Sequence, residues 1–505
     1  MISPGGFNSI LTSYRGLMAA QVGLDVTNHN ISNANTEGYS RQRINLHADN
    51  PYTEPTVYQM TQQLGNGVSV KGIDRIRNSH YDLQYRTHTS NSSMTEEYSE
   101  VLGQIEGILN SLSNSGLNDQ VQNFFNTMQE LSLNPESATA RNNTLQQANQ
   151  MINVFQTQAQ QLMDLQNSMV GTAGNATSVQ NSQVNTLVGQ VNNLLNEVQE
   201  LNGEIITITA SGGQPNDLYD KRDLILDKLS EFVDISYTLN SNGTADISIA
   251  GQEMVRNKSL VNTLQVTLNA GPAPDPDFQP ATISTVNGGF DILNNAAPNT
   301  VTGGKIKAIV NAAGGDTTQS NVRGSLEALD TMLRTLATSI NAIQTSGRDL
   351  SGAVATENIF LPQPPAAGTL EIMNYRVNPT VLADPSLIAT AAGPPAAYLG
   401  PGDGSNALSM AQVNDTNYAG LGNETIVGYF NSLTANLGID RDAYDSRTEN
   451  SAVILQNIEE NKQREMGVNM EEEFTNILRF QRAFEASSRM ISTYDEILQT
   501  IMNMV

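Results

Sequence analysis

The chain has 505 residues, 26 Lys plus Arg against 51 Asp plus Glu, a formal net charge of −25, four His, and neither Cys nor Trp. A chain this acidic is repelled by nucleic-acid phosphates and by anionic membrane surfaces, so neither nucleic acid nor membrane is an expected partner. Without Cys there can be no disulfide, thiolate metal site or cysteine nucleophile, and stability must come from packing. Met1 to Phe7 lack a basic segment followed by an apolar run, and no stretch approaches roughly 18 consecutive apolar residues, so neither a cleaved signal nor a membrane span is expected. Hydrophobic residues are only 38% of the chain, and about 90 Asn and Gln fill the shortfall, which implies large uncharged polar faces.

Taken from the N-terminus, Phe7, Ile10, Leu11, Tyr14, Leu17, Met18 and Leu24 place one apolar face on a first helix. The following Asn28-His29-Asn30-Ile31-Ser32-Asn33-Ala34-Asn35-Thr36-Glu37-Gly38-Tyr39-Ser40-Arg41 reads as a helix stop. Asn competes with helical hydrogen bonds, and Gly38 accepts a positive φ without steric cost. Shorter amphipathic helices follow at Tyr98 to Leu112 and Val121 to Leu133. A longer one carries Leu145, Ala148, Ile152, Phe155, Ala159, Leu162 and Met169. Next, Val184, Leu187, Val191, Leu194, Val198, Leu201, Ile205 and Ile208 step by alternating threes and fours, predicting a long bundle helix with one narrow seam. At Asn216-Asp217-Leu218-Tyr219-Asp220-Lys221-Arg222-Asp223, Pro215-Asn216 reads as a helix entry, Asp217 is placed to pair with Lys221, and Leu218, Leu224, Ile225 and Leu229 face the core.

The period then changes to two. Val233, Ile235, Tyr237 and Leu239, a turn at Asn242-Gly243 with positive φ angles, and Ala245, Ile247 and Ile249 predict a hairpin. Further strands are expected at Leu264 to Leu268, Phe290 to Leu293 and Leu370 to Val377. Of 18 Pro, 13 lie between Pro272 and Pro401, marking Gly/Pro-rich loops at Gly271 to Pro280, Leu361 to Gly368 and Gly393 to Gly404. A helical seam at Leu326, Leu329, Leu333, Leu336, Ile340 and Ile343 interrupts this β-rich middle and is expected to pack back on the bundle. Helix resumes at Ile426 to Leu437, and Met470, Phe474, Ile477, Phe484, Ile491, Leu498 and Met502 line one face of a C-terminal helix. Its polar face is acidic, which disfavours lying on a membrane. From the residues alone two readings of the ends stand: they join the chain's own bundle, or they find partners on other copies of the chain.

The Asn33 to Tyr39 segment resembles the Asn-x-Thr-x-Gly-Tyr/Phe signature that follows the first helix of bacterial flagellar rod, hook and hook-associated proteins. Gly467-Val468-Asn469-Met470-Glu471-Glu472-Glu473 is similar to that family's other end. Within the family, residues 216 to 223, the stretch from Gly303-Gly304-Lys305 through the helix at 326 to 343, and Gly347-Arg348-Asp349-Leu350-Ser351-Gly352 look like the members that join hook to filament. The resemblance implies a mainly α fold with an inserted β-rich domain: N- and C-terminal helices paired as a coiled coil, a long-helix bundle beside it, and the β-rich domain outermost. The expected segments are 1–62 and 467–505 for the terminal assembly domain, 63–234, 310–352 and 404–466 for the bundle, and 235–309 and 353–403 for the β-rich domain. The implied assembly residues are Phe7, Ile10, Leu11, Tyr14, Met18, Leu24, Asn33, Asn35, Thr36, Gly38, Tyr39, Phe474, Ile477, Phe484, Ile491, Leu498 and Met502. The implied partners are further copies in a ring, the hook protein, a second hook-associated junction protein, and an export chaperone on the C-terminal helix. The implied location is the extracellular flagellum, reached without a cleaved signal.

Enzymatic chemistry is not expected, nor is any metal or cofactor. His29, His47, His80 and His88 are scattered without ligand spacing and read as surface or structural histidines; Gly304-Lys305 is followed by Ile306 and not by the hydroxyl of a phosphate loop. Gly400-Pro401-Gly402-Asp403-Gly404 reads as a loop, and Asp415 to Gly420 lacks the later acidic ligand of a calcium loop, with Ile426 in its place. Two alternatives remain open from sequence: another axial flagellar subunit, such as a hook protein or second junction protein, or a secreted adhesin or polysaccharide-acting protein.

Overall fold

The computed structural model describes residues 4–50, 52–53, 63–110, 116–172, 175–268, 281–293, 300–315, 320–362, 371–393 and 399–503. The first helix, α1 (Pro4–Ser32), is followed by an antiparallel β-hairpin of β1 (Gln42–Ala48) and β4 (Val68–Arg75), extended at its tip by the short β2 (Tyr52–Thr53) and β3 (Gln63–Leu64). Gln42 lies opposite Arg75, with a bulge between Asn45 and Leu46. This hairpin carries no clear two-residue alternation of apolar side chains and is not foreseen from sequence; its strands flank residue 62 and rest on α1.

The helical body contains α2 (Ser79–Asn110), α3 (Leu117–Leu133), α4 (Ala138–Val170), the short α5 (Ala176–Gln180), α6 (Gln183–Ala210) and α7 (Asn216–Phe232). Every apolar residue foreseen on α4 is buried. On α6 the buried line runs Val184, Val188, Val191, Leu195, Val198, Asn202 and Ile205, turned from the predicted seam so that Leu187, Leu194 and Leu201 sit at its margin and Ile208 is exposed. Packing on both α7 and the neighbouring strands buries a broader face than a two-helix seam would. On α7 only Leu229 of the four predicted core residues is fully buried. Asp217 does not pair with Lys221; its carboxylate accepts from Gln42 Nε2 at 2.9 Å.

Strands β5 (Ile235–Leu239), β6 (Ala245–Ile249), β7 (Gln252–Arg256) and β8 (Ser259–Leu260) form an antiparallel meander, beside the pair β9 (Leu264–Leu268) and β10 (Ala281–Thr285). In the β5–β6 turn only Gly243 has a positive φ, +87°, because Asn240 N–H closes the loop onto Thr244 O at 2.8 Å, making a wider turn than the tight one expected. Phe290 to Leu293 is not a strand. It meets β10 through a single bridge, Ser284 to Asp291, and bends where Asp291 Oδ1 accepts from Leu293 N at 2.9 Å.

After α8 (Lys305–Val310) comes α9 (Val322–Ser346), whose predicted seam is buried from Leu326 to Ile340 with Ile343 at its edge; it packs against α4. The strand pair β11 (Phe360–Pro362) and β12 (Tyr375–Val377) is shorter than expected. Glu371–Asn374 turn as a 3-10 helix, where Asp330 Oδ1 accepts from Ile372 N at 2.8 Å, and Leu370 lies outside the described residues. The predicted Gly/Pro-rich loops lie largely outside them too. The short α10 (Pro379–Ala383) and α11 (Ser405–Ala411) lead to α12 (Ile426–Met466), which runs on for 41 residues far beyond the amphipathic stretch at its start, because it lies along α2. Tyr98 stacks on Tyr444 with centroids 4.5 Å apart, and Arg441 reaches Glu106 at 2.6 Å. The final helix is α13 (Met470–Asn503).

Candidate assembly site and its root

The two ends of the chain lie against each other. Three contacts between α1 and α13 step by seven residues in antiparallel register. A Cβ on Gly16 would sit 3.0 Å from Ser487 Oγ, one on Gly23 would sit 2.6 Å from the Phe480 ring, and Asn30 Nδ2 donates to Glu473 Oε2 at 3.2 Å. Between these points Ala19, Ala20, Val26 and Thr27 are buried, so the face of α1 that touches α13 is a ridge of small residues and not the apolar face read from the sequence. Small side chains let two helices approach closely and let Phe480 fill the groove.

That arrangement places the sequence-named residues in two groups. Ile477, Phe484, Ile491 and Leu498 are half-buried along the margin of the pairing, as are Ile10 and Leu24. Leu11, Tyr14 and Met18, spaced by three and four, turn away from α13 and are exposed, Tyr14 by 52%. Phe474 and Met502 are exposed by 54% and 76%, joined by Leu478, Met490 and Ile497. The side chain of Phe7 lies outside the described residues.

The Asn-rich segment folds inward at the base of this pair. Asn33 Nδ2 donates to His29 O at 3.0 Å and Thr36 N to Asn33 O at 2.9 Å, while Asn35 is exposed. Gly38 takes φ +76°, and a side chain there would press on Leu224 at 3.1 Å. Tyr39 donates its hydroxyl to Asn30 Oδ1 at 2.8 Å. Burial, then the carboxylates of Asp217, Asp220 and Glu473, push the Tyr39 phenol far up, so it keeps its proton. Arg41 completes the base: its N–H donates to Met466 O at 3.0 Å, and its guanidinium meets Glu472 at 2.7 Å and the buried Glu473 at 2.9 Å.

Beside this base lies a buried charge cluster that sequence reading missed. Arg75 meets Asp220 at 2.7 Å and Asp223 at 3.1 Å; Arg77 meets Asp82 at 2.7 Å and Asp223 at 3.3 Å; Arg86 meets Asp227 at 2.7 Å. Arg222 touches Asp223 at 3.2 Å, and Lys462 reaches Asp227 at 3.0 Å. The cluster therefore joins β4, α2, α7 and α12, and Ser40 N adds the Asn-rich segment by donating to Asp220 at 3.1 Å. Burial pushes the Asp223 carboxyl up, but the guanidiniums of Arg77, Arg222, Arg75 and Arg86 outweigh it and hold the group at about 2. For Asp220 burial wins over Arg75 and the Ser40 hydrogen bonds, and its carboxyl is raised. The legible signal was the spacing of Asp220, Asp223 and Asp227 on the inner side of α7, acids where an apolar stripe would be expected.

Comparison with known proteins agrees with this architecture. The family model described as Flagellar hook-associated protein FlgK helical domain matches residues 102–360, that for Flagella basal body rod protein matches 10–39, and that for Flagellar basal body rod FlgEFG protein C-terminal matches 464–504. The last two fall on α1 with the Asn-rich segment and on the end of α12 with α13. The chain belongs to the FlgK family of flagellar hook-associated proteins. Its role is structural, in the axis of the bacterial flagellum where hook meets filament. It is 28% identical to Flagellar hook-associated protein 1 of Bacillus subtilis over 98% of both chains. It is 23% identical to the protein of that name from Salmonella typhimurium, over 97% of this chain and 98% of the other. Its fold resembles that of the flagellar hook junction protein FlgK from Burkholderia pseudomallei, with a TM-score of 0.59, 15% identity, and coverage of 75% of this chain and 99% of that one.

Proposed function

We propose that α1 and α13 are the assembly module of this axial protein, a two-stranded coiled coil whose exposed apolar residues seat on sister copies in a ring. The observation that carries the reading is that Leu11, Tyr14, Met18, Phe474 and Met502 stay exposed although the two helices are already packed together. A monomer gains nothing by presenting such side chains to water, while burying each between copies is worth about 1.5–3 kcal/mol. On this reading residues 1–62 and 467–505 lie innermost, the bundle of 63–234, 310–352 and 404–466 surrounds them, and the β-rich 235–309 and 353–403 point outward. The ring sits between the hook protein and a second hook-associated junction protein. Asn/Gln-rich bundle faces give hydrated contacts that shift more easily than interlocked apolar ones, suited to joining a flexible hook to a stiffer filament. An export chaperone covers α13 beforehand, and the chain works outside the cell.

The test replaces Phe474 by Glu. Phe474→Glu, and likewise Ile491→Asp at the margin, is expected to leave the bundle folded by circular dichroism and thermal melting while abolishing incorporation into hook–filament junctions. Normal filaments built with either variant would refute the assignment.

A further inference from the structure

Between α1, β1 and α13 lies a cleft whose walls include Gly23 and Thr27 of α1 and Phe480 of α13. Four charged side chains line it: Arg41, Arg43, Glu473 and Arg479. The acid is already compensated within the chain. Glu473 is 1% exposed, stands 2.9 Å from Arg41 Nε and accepts from Asn30 Nδ2 at 3.2 Å. Arg41 in turn is shared between Glu472 and Glu473. That leaves Arg43 and Arg479, both exposed and without an ion pair among the described residues. The Arg479 guanidinium rests over the Phe480 ring, 4.8 Å from its centroid. Acids outnumber bases 51 to 26 in this chain, so two uncompensated guanidiniums in one cleft are not what composition alone would place there.

A second cleft shares Arg41 and carries the opposite excess. It is lined by Glu459, Glu460 and Glu472, with Arg464 among them. Glu472 is held by Arg41 at 2.7 Å, but Glu459 and Glu460 accept only from amides, Gln463 Nε2 at 2.9 Å and Gln456 Nε2 at 3.0 Å. Arg464, one turn beyond Glu460, forms no ion pair with either among the described residues. Through Arg41 the two clefts stand at the same end of the terminal pair. Like-oriented copies in a ring meet sideways at equal height, and such a ring closes through two different surfaces of the chain. Resting on the assembly reading above, we propose that the cleft of Arg43 and Arg479 on one copy receives Glu459 and Glu460 of the next. A guanidinium matches a carboxylate with two parallel hydrogen bonds. Exposed ion pairs are worth at most about 1 kcal/mol each, so the apolar side chains supply the adhesion. The charges set the register, because a slipped copy loses its carboxylates and brings like charges together.

The test uses charge exchange between copies. A bacterium lacking its own copy of the protein receives the full-length chain with Arg43→Glu and Arg479→Glu, and attached filaments are counted. Reversal should lower the count roughly tenfold or more. Adding Glu459→Arg and Glu460→Arg to the same chain should restore most of it. No hydrogen bond or ion pair joins the two arginines to the two glutamates within one copy, so a variant that merely misfolds is not rescued. The chain has no Cys, which allows a second readout. Arg479→Cys combined with Glu460→Cys, treated on isolated flagella with a short bis-maleimide, should give a ladder of linked copies, and either change alone should give none. An unchanged count after reversal, a loss that the exchange does not restore, or no ladder from the paired cysteines would overturn the proposal. Phe474→Glu separates it from the assembly reading. Normal filaments with that variant remove both, whereas filaments lost with it but unaffected by the reversed arginines remove the cleft alone.

Discussion

Gly23→Ala isolates the seam between the chain's two ends. The added Cβ would lie 2.6, 2.6 and 2.8 Å from Cδ1, Cε1 and Cγ of Phe480, whereas ordinary carbon contacts are about 3.5–4.0 Å, so the ring must retreat by about 1 Å. Phe480 is only 8% exposed and has little room to do so. Overpacking by one methyl in such a site costs about 1–3 kcal/mol. The gain of about 1 kcal/mol in helix propensity on replacing Gly is felt by α1 whether or not it is paired, so it does not rescue the contact. A loss of 2 kcal/mol raises the open population about thirtyfold, measurable as faster amide exchange along α13 with the bundle unchanged. Phe480→Leu should relieve the clash, giving a coupling of at least about 1 kcal/mol in the double variant. If α13 exchanges at the same rate in Gly23→Ala as in the parent, the close approach is wrong.

Acid should act on the charge cluster with a defined sign. Asp223, held at about 2 against an ordinary value of about 3.9, contributes on the order of 2 kcal/mol that is fully present above about pH 4 and is lost as pH falls toward 2. Raised Asp220 acts in the opposite sense and blunts the slope. Urea unfolding between pH 2 and 6 checks this, and Asp223→Asn should lower stability by about 3–5 kcal/mol at neutral pH and flatten its acid limb. Arg141 is buried and lowered to about 10 by desolvation, although Asp349 and Asp384 pull the other way. It donates to the carbonyls of Pro135 at 2.7 Å and Ile388 at 2.8 Å and to Thr390 Oγ1 at 2.9 Å. Arg141→Lys cannot reproduce that fork and should cost about 2–4 kcal/mol, with exchange rising first around residues 385–390. Asn202, also buried, grips Ala245 O at 2.8 Å and Asn257 O at 2.7 Å and accepts from Ala245 N at 3.0 Å. Asn202→Ala should lower the thermal midpoint, at a cost of about 2–4 kcal/mol.

Helices with dense apolar spacing were legible because a buried stripe must repeat at the helical period whatever packs against it. The α4 residues and the Leu326 to Ile340 seam are buried as their spacing requires. The strands at 235–239, 245–249 and 264–268 were legible for the corresponding two-residue reason. The length of α12 was not, since its later turns rest on polar and ionic contacts with α2 that leave no apolar stripe. The β1–β4 hairpin escaped because its pattern is mostly half-exposed. At the candidate site, Asn33, Gly38 and Tyr39 stood out through the family signature they resemble, whereas the contacts of Asn30, Arg41 and Glu473 could not be read, because what distinguishes these residues is whom they meet 12, 431 or 443 residues away.

Sequence alone therefore determined that both ends are amphipathic helices, and that the first ends at an Asn-rich stop, since helical period and backbone preference are local properties. Which face of α1 meets α13, and that acids on α7 are buried among arginines from β4 and α2, was decided only by the tertiary structure. Close approach and charge compensation depend on the partner's surface, and no residue carries that information by itself.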